Sequence, residues 1–156
     1  MFGMFKKKAL EIKAPSSGKV VDIESVNDEV FSTKLAGDGV AIIPTDGAFC
    51  SPIDGVIVKI FDTNHAYIIK ASSGLEVLVH IGIDTVMLNG EGFSRILEPH
   101  SDVKAGDLVI KVDLDYLKDN GKDIISPIVI SDEESYKDMQ KYLGDKQLNE
   151  TIMEVK

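Results

Sequence analysis

APSSGKVVDI, at residues 14–23, is followed at residues 51–60 by the similar stretch SPIDGVIVKI. In both copies a proline stands three residues before a glycine, and an apolar run begins after the glycine. Proline fixes one backbone angle and glycine tolerates the position that follows, so each copy predicts a turn that leads into a strand. Because a solenoid needs more copies than two, the repeat predicts a β-sandwich with internally duplicated halves.

Short apolar segments separated by Gly, Pro, Asp and Asn continue this pattern as far as residue 130. A sustained helical period of apolar residues is absent from that part of the sequence, which favours strands. The candidate strands are residues 19–23, 39–44, 56–61, 66–71, 75–81 and 107–113, with a last one at 151–155. Helical turns are predicted at residues 114–118 and 133–142. The expected fold class is therefore all-β, an antiparallel sandwich or barrel with one or two short helical turns.

The length and composition predict one globular domain. The chain has 156 residues, of which 28% are charged and 44% hydrophobic, as is typical of soluble proteins. We expect residues 9–156 to form a single domain, and residues 1–8 to be a mobile N-terminal segment.

Two features of the sequence predict a cytoplasmic location. Cys50 is the only cysteine, so an internal disulfide is excluded, and an unpaired thiol fits a reducing compartment. The sequence also lacks the roughly 18 consecutive apolar residues that a membrane-spanning helix requires.

The acidic charge balance indicates which partners to expect. A formal net charge of −9 and a pI near 4.7 argue against general affinity for nucleic acid, since that affinity depends on Lys and Arg at the phosphates. A basic protein is a better match, and attraction of this kind speeds encounter more than it tightens binding. The charge therefore predicts transient protein complexes.

His80 lies near the end of a predicted strand, in LEVLVHIG at residues 75–82. Strict alternation places the aliphatic side chains of this stretch on one face, the natural core side: Leu75, Val77, Val79 and Ile81. His80 should then face outward beside Leu78, on a partly apolar surface. There it is either a nucleophile or a histidine that only forms hydrogen bonds.

His65 precedes the neighbouring candidate strand. The SSG turn at residues 72–74 would reverse the chain and bring the start of that strand, with His65, beside the end of the next, with His80. Thr63, two residues before His65, could hold that ring in one tautomer.

Two facing imidazoles can serve either as zinc ligands or as a site for phosphoryl transfer. A closed zinc site needs four ligands, and a catalytic zinc would need a third ligand, which Asp84 could supply. A HExxH pattern is absent. A lipoyl- or biotin-carrying module also has duplicated β halves, but the lysine beside methionine that such modules display is absent from this sequence.

GLEVLVHIGIDTV, at residues 74–86, resembles without a gap the histidine signature of the glucose-type IIA component of the bacterial phosphoenolpyruvate-dependent sugar phosphotransferase system. TNHA, at residues 63–66, stands at that family's separation from the signature. The similarity continues along nearly the whole chain, in order, at Ala14-Pro15 with Gly18, Asp28 with Val30-Phe31, GDG at 37–39, Pro52 with Gly55, NGEGF at 89–93 and Gly106-Asp107.

The resemblance implies a phosphocarrier, an enzyme component that forms a covalent phosphohistidine. The family's phosphorylated histidine falls on His80, and the companion histidine that stabilises the phosphoryl group falls on His65. The hydroxyl that orients the companion falls on Thr63, and the backbone carbonyl that holds the active ring falls on Gly82. The relay requires no cofactor, while zinc bound by His65 and His80 fits as a secondary use.

The resemblance also implies the partners. The phosphoryl group would come from the histidine-containing phosphocarrier protein and go to the cysteine of a sugar permease IIB domain, with regulatory proteins as further targets and a monomer as the working form. The sequence leaves the sugar open among glucose, N-acetylglucosamine and some disaccharides. Glu29 departs from the family, whose members often have an apolar residue there. The implied partner-binding residues are Asp28, Val30, Phe31, Leu35, Phe61, Leu78 and Asp84.

Overall fold

The computed structural model describes residues 9–132 and 138–155, and these form antiparallel sheets with two short α-helices. The predicted mobile segment at residues 1–8 lies outside the described residues. The helices are α1 (Glu29–Ser32) and α2 (Leu114–Asp119), and 3-10 turns lie at Ile23–Ser25 and Thr85–Leu88. The strands are β1 (Leu10–Lys13), β2 (Gly18–Asp22), β3 (Asp38–Pro44), β4 (Ala48–Cys50), β5 (Gly55–Ile60), β6 (Ala66–Lys70), β7 (Glu76–His80), β8 (Phe93–Arg95), β9 (Asp102–Val103), β10 (Leu108–Val112), β11 (Ser126–Ile130), β12 (Gln140–Lys141), β13 (Gly144–Lys146) and β14 (Thr151–Val155).

The strands form a large sheet and two small ones. The large sheet has the order β13-β2-β3-β11-β7-β6-β5-β9, and the small sheets have the orders β1-β14-β12 and β4-β10-β8. The large sheet ends at β13 and β9, so the described residues form a β-sandwich and not the closed barrel that the sequence had left as an alternative. Within the same described residues, no helix is both long and apolar enough to cross a membrane.

The main core fills the space between these sheets. The large sheet contributes the buried side chains Ile57, Tyr67, Val77 and Val79, and the small sheets contribute Ile12, Phe49, Val109, Ile110, Ile152 and Met153. Val77 and Val79 are fully buried, as alternation along β7 predicts. The strand that ends at His80 is therefore fixed by its aliphatic face.

The two copies of the repeat occupy equivalent places. Gly18 opens β2 and Gly55 opens β5, each beside the strand that pairs with it. A Cβ at Gly18 would lie 2.1 Å from the carbonyl oxygen of Ile43, and a Cβ at Gly55 would lie 2.2 Å from that of Lys70. Glycine is needed at both positions because the two backbones approach too closely for a side chain.

A second apolar cluster lies beneath α1. Its buried members are Ile23, Val26, Phe31, Ala41, Ile83, Ile125 and Val129. Strand β11 separates the two clusters, since Ile128 belongs to the main core and Val129 to this one. The cluster anchors α1 through Phe31, next to the end of β7.

Charged side chains join β12 to the segments around α1. Lys141 Nζ lies 2.8 Å from Asp38 Oδ1 and 3.2 Å from Asp22 Oδ1. Lys34, just after α1, forms ion pairs with Asp38 and Glu24. These contacts hold the loop between α1 and β3 in place.

The helical turn predicted at residues 114–118 is confirmed by α2. The turn predicted at residues 133–142 falls partly outside the described residues, at 133–137, and is wrong at its end, where Gln140–Lys141 form β12. These two residues pair with Glu154 and Met153 of β14, so tertiary pairing decides their structure.

Candidate functional site

The hairpin of β6 and β7 brings two histidines together, as the sequence predicts. Ala66 pairs with His80 across the hairpin, and the N–H of Ile81 donates to the carbonyl of His65 at 2.7 Å. The ring centroids of His65 and His80 are 5.0 Å apart, and the ring planes are nearly perpendicular. The two imidazoles therefore form one site where β7 ends and β6 begins.

The backbone fixes the tautomer of His80. Its Nδ1 lies 2.7 Å from the carbonyl oxygen of Gly82, which can only accept a hydrogen bond, so Nδ1 carries the proton and donates it. In the neutral ring the lone pair is then on Nε2. Burial lowers the pKa of His80, although the Gly82 carbonyl and the carboxylates of Asp28 and Asp84 act in the opposite direction. At neutral pH the ring is thus mostly uncharged and nucleophilic.

Gly82 is itself held by residues that the sequence did not single out. Its N–H donates to Ser126 Oγ at 3.1 Å, and the N–H of Ile83 donates to the carbonyl of Asp123 at 3.0 Å. The hydroxyl of Thr85 donates to the carbonyl of Ile81 at 2.6 Å. Ser126 lies 44 positions from Gly82 in sequence, so spacing alone gives no signal for this support.

His65 is buried and oriented by its own turn. The side chain is 5% exposed, and its Nδ1 lies 2.5 Å from Thr63 Oγ1. The ring of Phe61 packs edge-on at 5.4 Å. Burial first, and the neighbouring His80 second, lower the pKa of His65 from 6.5 to about 4. This ring is neutral at physiological pH.

An apolar surface surrounds the two rings. Val30 is 50% exposed and Leu35 is 76% exposed, whereas Phe61 and Leu78 are half-buried. Phe31 is buried, and its ring lies 5.1 Å from that of His80. Phe31 thus shapes the site from beneath but offers almost no area to a partner.

Two carboxylates flank this surface. Asp28 is the N-cap of α1, where its Oδ1 accepts the N–H of Val30 at 2.9 Å. Asp84 is exposed and begins the 3-10 turn Thr85–Leu88. Val86 and Met87 in that turn are 49% and 69% exposed and extend the apolar surface beyond the residues that the sequence had suggested.

The part of the chain described here contains no group of three or more His, Cys, Asp or Glu side chains that could hold a metal ion. Nδ1 of His65 and Nδ1 of His80 each have a hydrogen-bond partner, so Nε2 is the free nitrogen of these two rings. A zinc ion would need further ligands from outside these residues. Zinc at His65 and His80 stays a prediction.

Replacing Gly82 by alanine is expected to destabilise the fold at the residue whose carbonyl accepts from His80 Nδ1. The glycine has φ +74°, and an added Cβ would lie 2.6 Å from Thr85 Cγ2 and 3.0 Å from the carbonyl oxygen of Asp123. We expect the free energy of unfolding to fall by about 2–4 kcal/mol, since backbone strain and overpacking act together. Urea denaturation measures this loss.

Gly121→Ala is the matched control. Gly121 has φ +73°, and nothing lies within 4 Å of an added Cβ. This variant should show only the cost of the backbone angle, about 1–2 kcal/mol. Equal destabilisation in the two variants would contradict the role of the contacts around Gly82.

The buried His65 predicts that the protein loses stability as the pH falls from 6.5 towards 4. Its folded pKa of about 4 lies below the ordinary value of 6.5, so between these values the unfolded chain binds a proton that the folded protein does not. Acid therefore favours unfolding in this range. Above pH 6.5 the neutral His65 makes its full contribution to the free energy of unfolding. Urea midpoints measured across the range should have a shallower pH dependence in His65→Gln than in the unmodified protein. Parallel curves would show that the ring is not buried in its neutral form.

Comparisons with known proteins identify the family of this chain. Residues 10–136 match the family model described as the phosphoenolpyruvate-dependent sugar phosphotransferase system, EIIA 1. The glucose-specific EIIA component of Haemophilus influenzae is 44% identical over 98% of this chain and 93% of its own length. The N-acetylglucosamine-specific EIICBA component of Escherichia coli is 49% identical over 78% of this chain, which corresponds to 19% of that larger protein.

A solved structure shows the same fold. The glucose permease IIA from Mycoplasma capricolum matches with a TM-score of 0.91 and 35% sequence identity, over 96% of this chain and 97% of that one. The family match covers most of the chain, and the relatives align over most of it at similar identity. The chain therefore belongs to the EIIA 1 family of the phosphoenolpyruvate-dependent sugar phosphotransferase system.

Proposed function

We propose that this phosphotransferase component carries the phosphoryl group on Nε2 of His80. The observation that carries the proposal is the bond from His80 Nδ1 to the Gly82 carbonyl, which leaves Nε2 as the only ring nitrogen with a free lone pair. An activated nucleophile of this kind splits one transfer into two easier steps. A hydrogen bond from the other ring nitrogen fixes metal-bound imidazoles in the same way.

The reaction consists of two displacements. In the first, the lone pair of His80 Nε2 forms a bond to phosphorus, and the broken N–P bond returns its electron pair to the histidine of the donor protein. In the second, the thiolate of the acceptor forms an S–P bond and the electron pair returns to Nε2 of His80. Atoms and charge balance without a cofactor.

His65 stabilises the transferred group in this scheme. If the hydroxyl of Thr63 donates to His65 Nδ1, then Nε2 of His65 carries the proton and can donate to a phosphoryl oxygen. Phosphoryl transfer depends mainly on positioning and on electrostatic stabilisation of the equatorial oxygens. Because His65 is neutral, it supplies a hydrogen bond and not a fixed positive charge.

The surface around the two rings is proposed as the docking site for both partners. The exposed apolar side chains of Val30 and Leu35, with the carboxylates of Asp28 and Asp84 at the edge, suit a basic protein with an apolar centre. The donor is the histidine-containing phosphocarrier protein, and the acceptor is a permease IIB domain. The EIICBA relatives, in which the matching segment is part of a larger component, support the second assignment.

The permitted sugars are proposed to be of the glucose type, glucose or N-acetylglucosamine, because relatives of both specificities align with the chain. The sugar is selected by the permease that accepts the phosphoryl group. We place this work in the cytoplasm, where the phosphoryl donor is available.

The test is reconstitution of the relay. The protein is incubated with phosphoenolpyruvate, the first enzyme of the system and its histidine-containing phosphocarrier, and the product is then mixed with glucose-specific or N-acetylglucosamine-specific permease. We expect acid-labile phosphate on His80, located by mass spectrometry, and its loss on mixing with the matching permease. Absence of phosphate from His80 would overturn the proposal.

A further inference from the structure

Arg95, the last residue of β8, connects to the turn that carries His65. Its Nε donates to Asn64 Oδ1 at 2.8 Å, and its Nη2 donates to the carbonyl of Phe61 at 3.5 Å. Its Nη1 lies 3.4 Å from Glu98 Oε2, on the exposed side. Two of the three contacts are therefore made to the residues around His65.

The turn depends on an uncommon backbone conformation at Asn64. Asn64 has φ +59°, in the left-handed region, and lies between Thr63 and His65. Within the turn, the N–H of Asn64 donates to the carbonyl of Phe61 at 2.7 Å. A rotation at Asn64 would change the relative placement of the Thr63 hydroxyl and the His65 ring, and so break the bond between them.

Arg95 holds this turn from the opposite layer of the sandwich. Strand β8 pairs with β10 in a small sheet, whereas His65 immediately precedes β6 in the large sheet. The guanidinium is planar with donors in a rigid fork, so it can hold a side-chain amide oxygen and a backbone carbonyl at once. A lysine has a single ammonium and cannot reproduce that geometry.

We infer that Arg95 is a positioning residue for onward phosphoryl transfer. Arg95 fixes Asn64 and, through Asn64, the Thr63–His65 pair. The inference rests on the proposed function, because it concerns the step that His65 assists. Arg95 acts on delivery from His80 and not on loading, since Gly82, which orients His80, is held by Ser126 and, through its neighbour Ile83, by Asp123.

Arg95→Gln tests the inference, with Glu98→Gln as the matched control. We expect delivery from phosphorylated His80 to slow about tenfold, because small misplacements of reacting groups have effects of up to about a hundredfold. Loading should be unchanged, and the ring ¹⁵N shifts of His65 should move while those of His80 stay. Arg95→Lys should recover part of the delivery rate, and Glu98→Gln should match the unmodified protein in every measurement.

Asn64→Gly provides a second variant if Arg95→Gln folds poorly. Glycine accepts the left-handed angle of Asn64 but removes the oxygen to which Arg95 donates. Asn64→Gly should show the same delivery defect and His65 shifts, and combining it with Arg95→Gln should add nothing.

Unchanged His65 shifts in Arg95→Gln, or an equal loss of loading and delivery, would overturn the role of Arg95. A failure of the proposed function is distinguishable, because the unmodified protein would then carry no phosphate on His80. In that case the ring ¹⁵N shifts of His65, compared between Arg95→Gln and the unmodified protein, would still show whether Arg95 positions this ring.

Discussion

Replacing His80 by glutamine is expected to abolish phosphoryl loading, with a rate at least about a thousandfold lower, because the nucleophile itself is removed. Glutamine has nearly the size of histidine and can still reach the Gly82 carbonyl through its amide, so the fold should persist. Its side-chain amide offers no nitrogen lone pair comparable to that of imidazole. Mass spectrometry after incubation with the complete relay measures the phosphorylated fraction.

His100→Asn is the control for this experiment. His100 is exposed and has φ +73°, an angle that asparagine tolerates well. This variant also removes one imidazole from the chain but should load normally. Phosphate on the His80→Gln protein would exclude His80 as the carrier. Loss of loading in His100→Asn would show that the effect of His80→Gln is not specific to that histidine.

Replacing His65 by glutamine is expected to spare loading and to slow delivery by about 10²–10³-fold, the typical effect of removing one preorganised hydrogen-bond donor from a transition state. His80 keeps its bond to Gly82, so Nε2 stays available for the first displacement. The second displacement loses the donor that the buried, Thr63-bound ring supplies.

A single-turnover experiment separates the two steps. The His65→Gln protein is first loaded and purified from its donor, and the loss of phosphate is then followed after mixing with permease. Thr63→Val should have a delivery rate between those of His65→Gln and the unmodified protein, because His65 stays in place but loses the hydroxyl at Nδ1. An equal reduction of loading and delivery in His65→Gln would contradict the division of roles between the histidines.

The sequence predicted that the two histidines lie together because this part of the geometry is local. Alternation along residues 75–81 predicts which face of β7 is buried, and a short turn is enough to bring His65 beside His80. The placement of the two rings therefore follows mostly from residues that are close in sequence. Thr63, for example, is only two positions from His65.

The parts that the sequence missed depend on distant contacts. Strand β11 is buried on both faces and contains Pro127, so it shows neither alternation nor a clear strand signal. The one-turn helix α1 is too short for a period, although Asp28 as an N-cap was a usable signal. Arg95 and Ser126 reach the site only through the packing of the sheets.

The contribution of Phe31 illustrates the same limit. The family resemblance implied that both Phe31 and Val30 face a partner, but the structure buries Phe31 in the cluster beneath α1 and leaves Val30 half exposed. A one-turn helix presents neighbouring residues to different sides, which a list of apolar residues does not reveal.

The bond between His80 Nδ1 and the Gly82 carbonyl also affects how the phosphoryl group leaves His80. Once phosphorus is attached at Nε2, a ring that keeps its Nδ1 proton becomes a substituted imidazolium, which draws electrons out of the N–P linkage and makes the ring a good leaving group. The carboxylates of Asp28 and Asp84, whose negative charge favours a cationic ring, would help that state to form. One backbone oxygen would thus make the same imidazole ready both to attack and to be expelled.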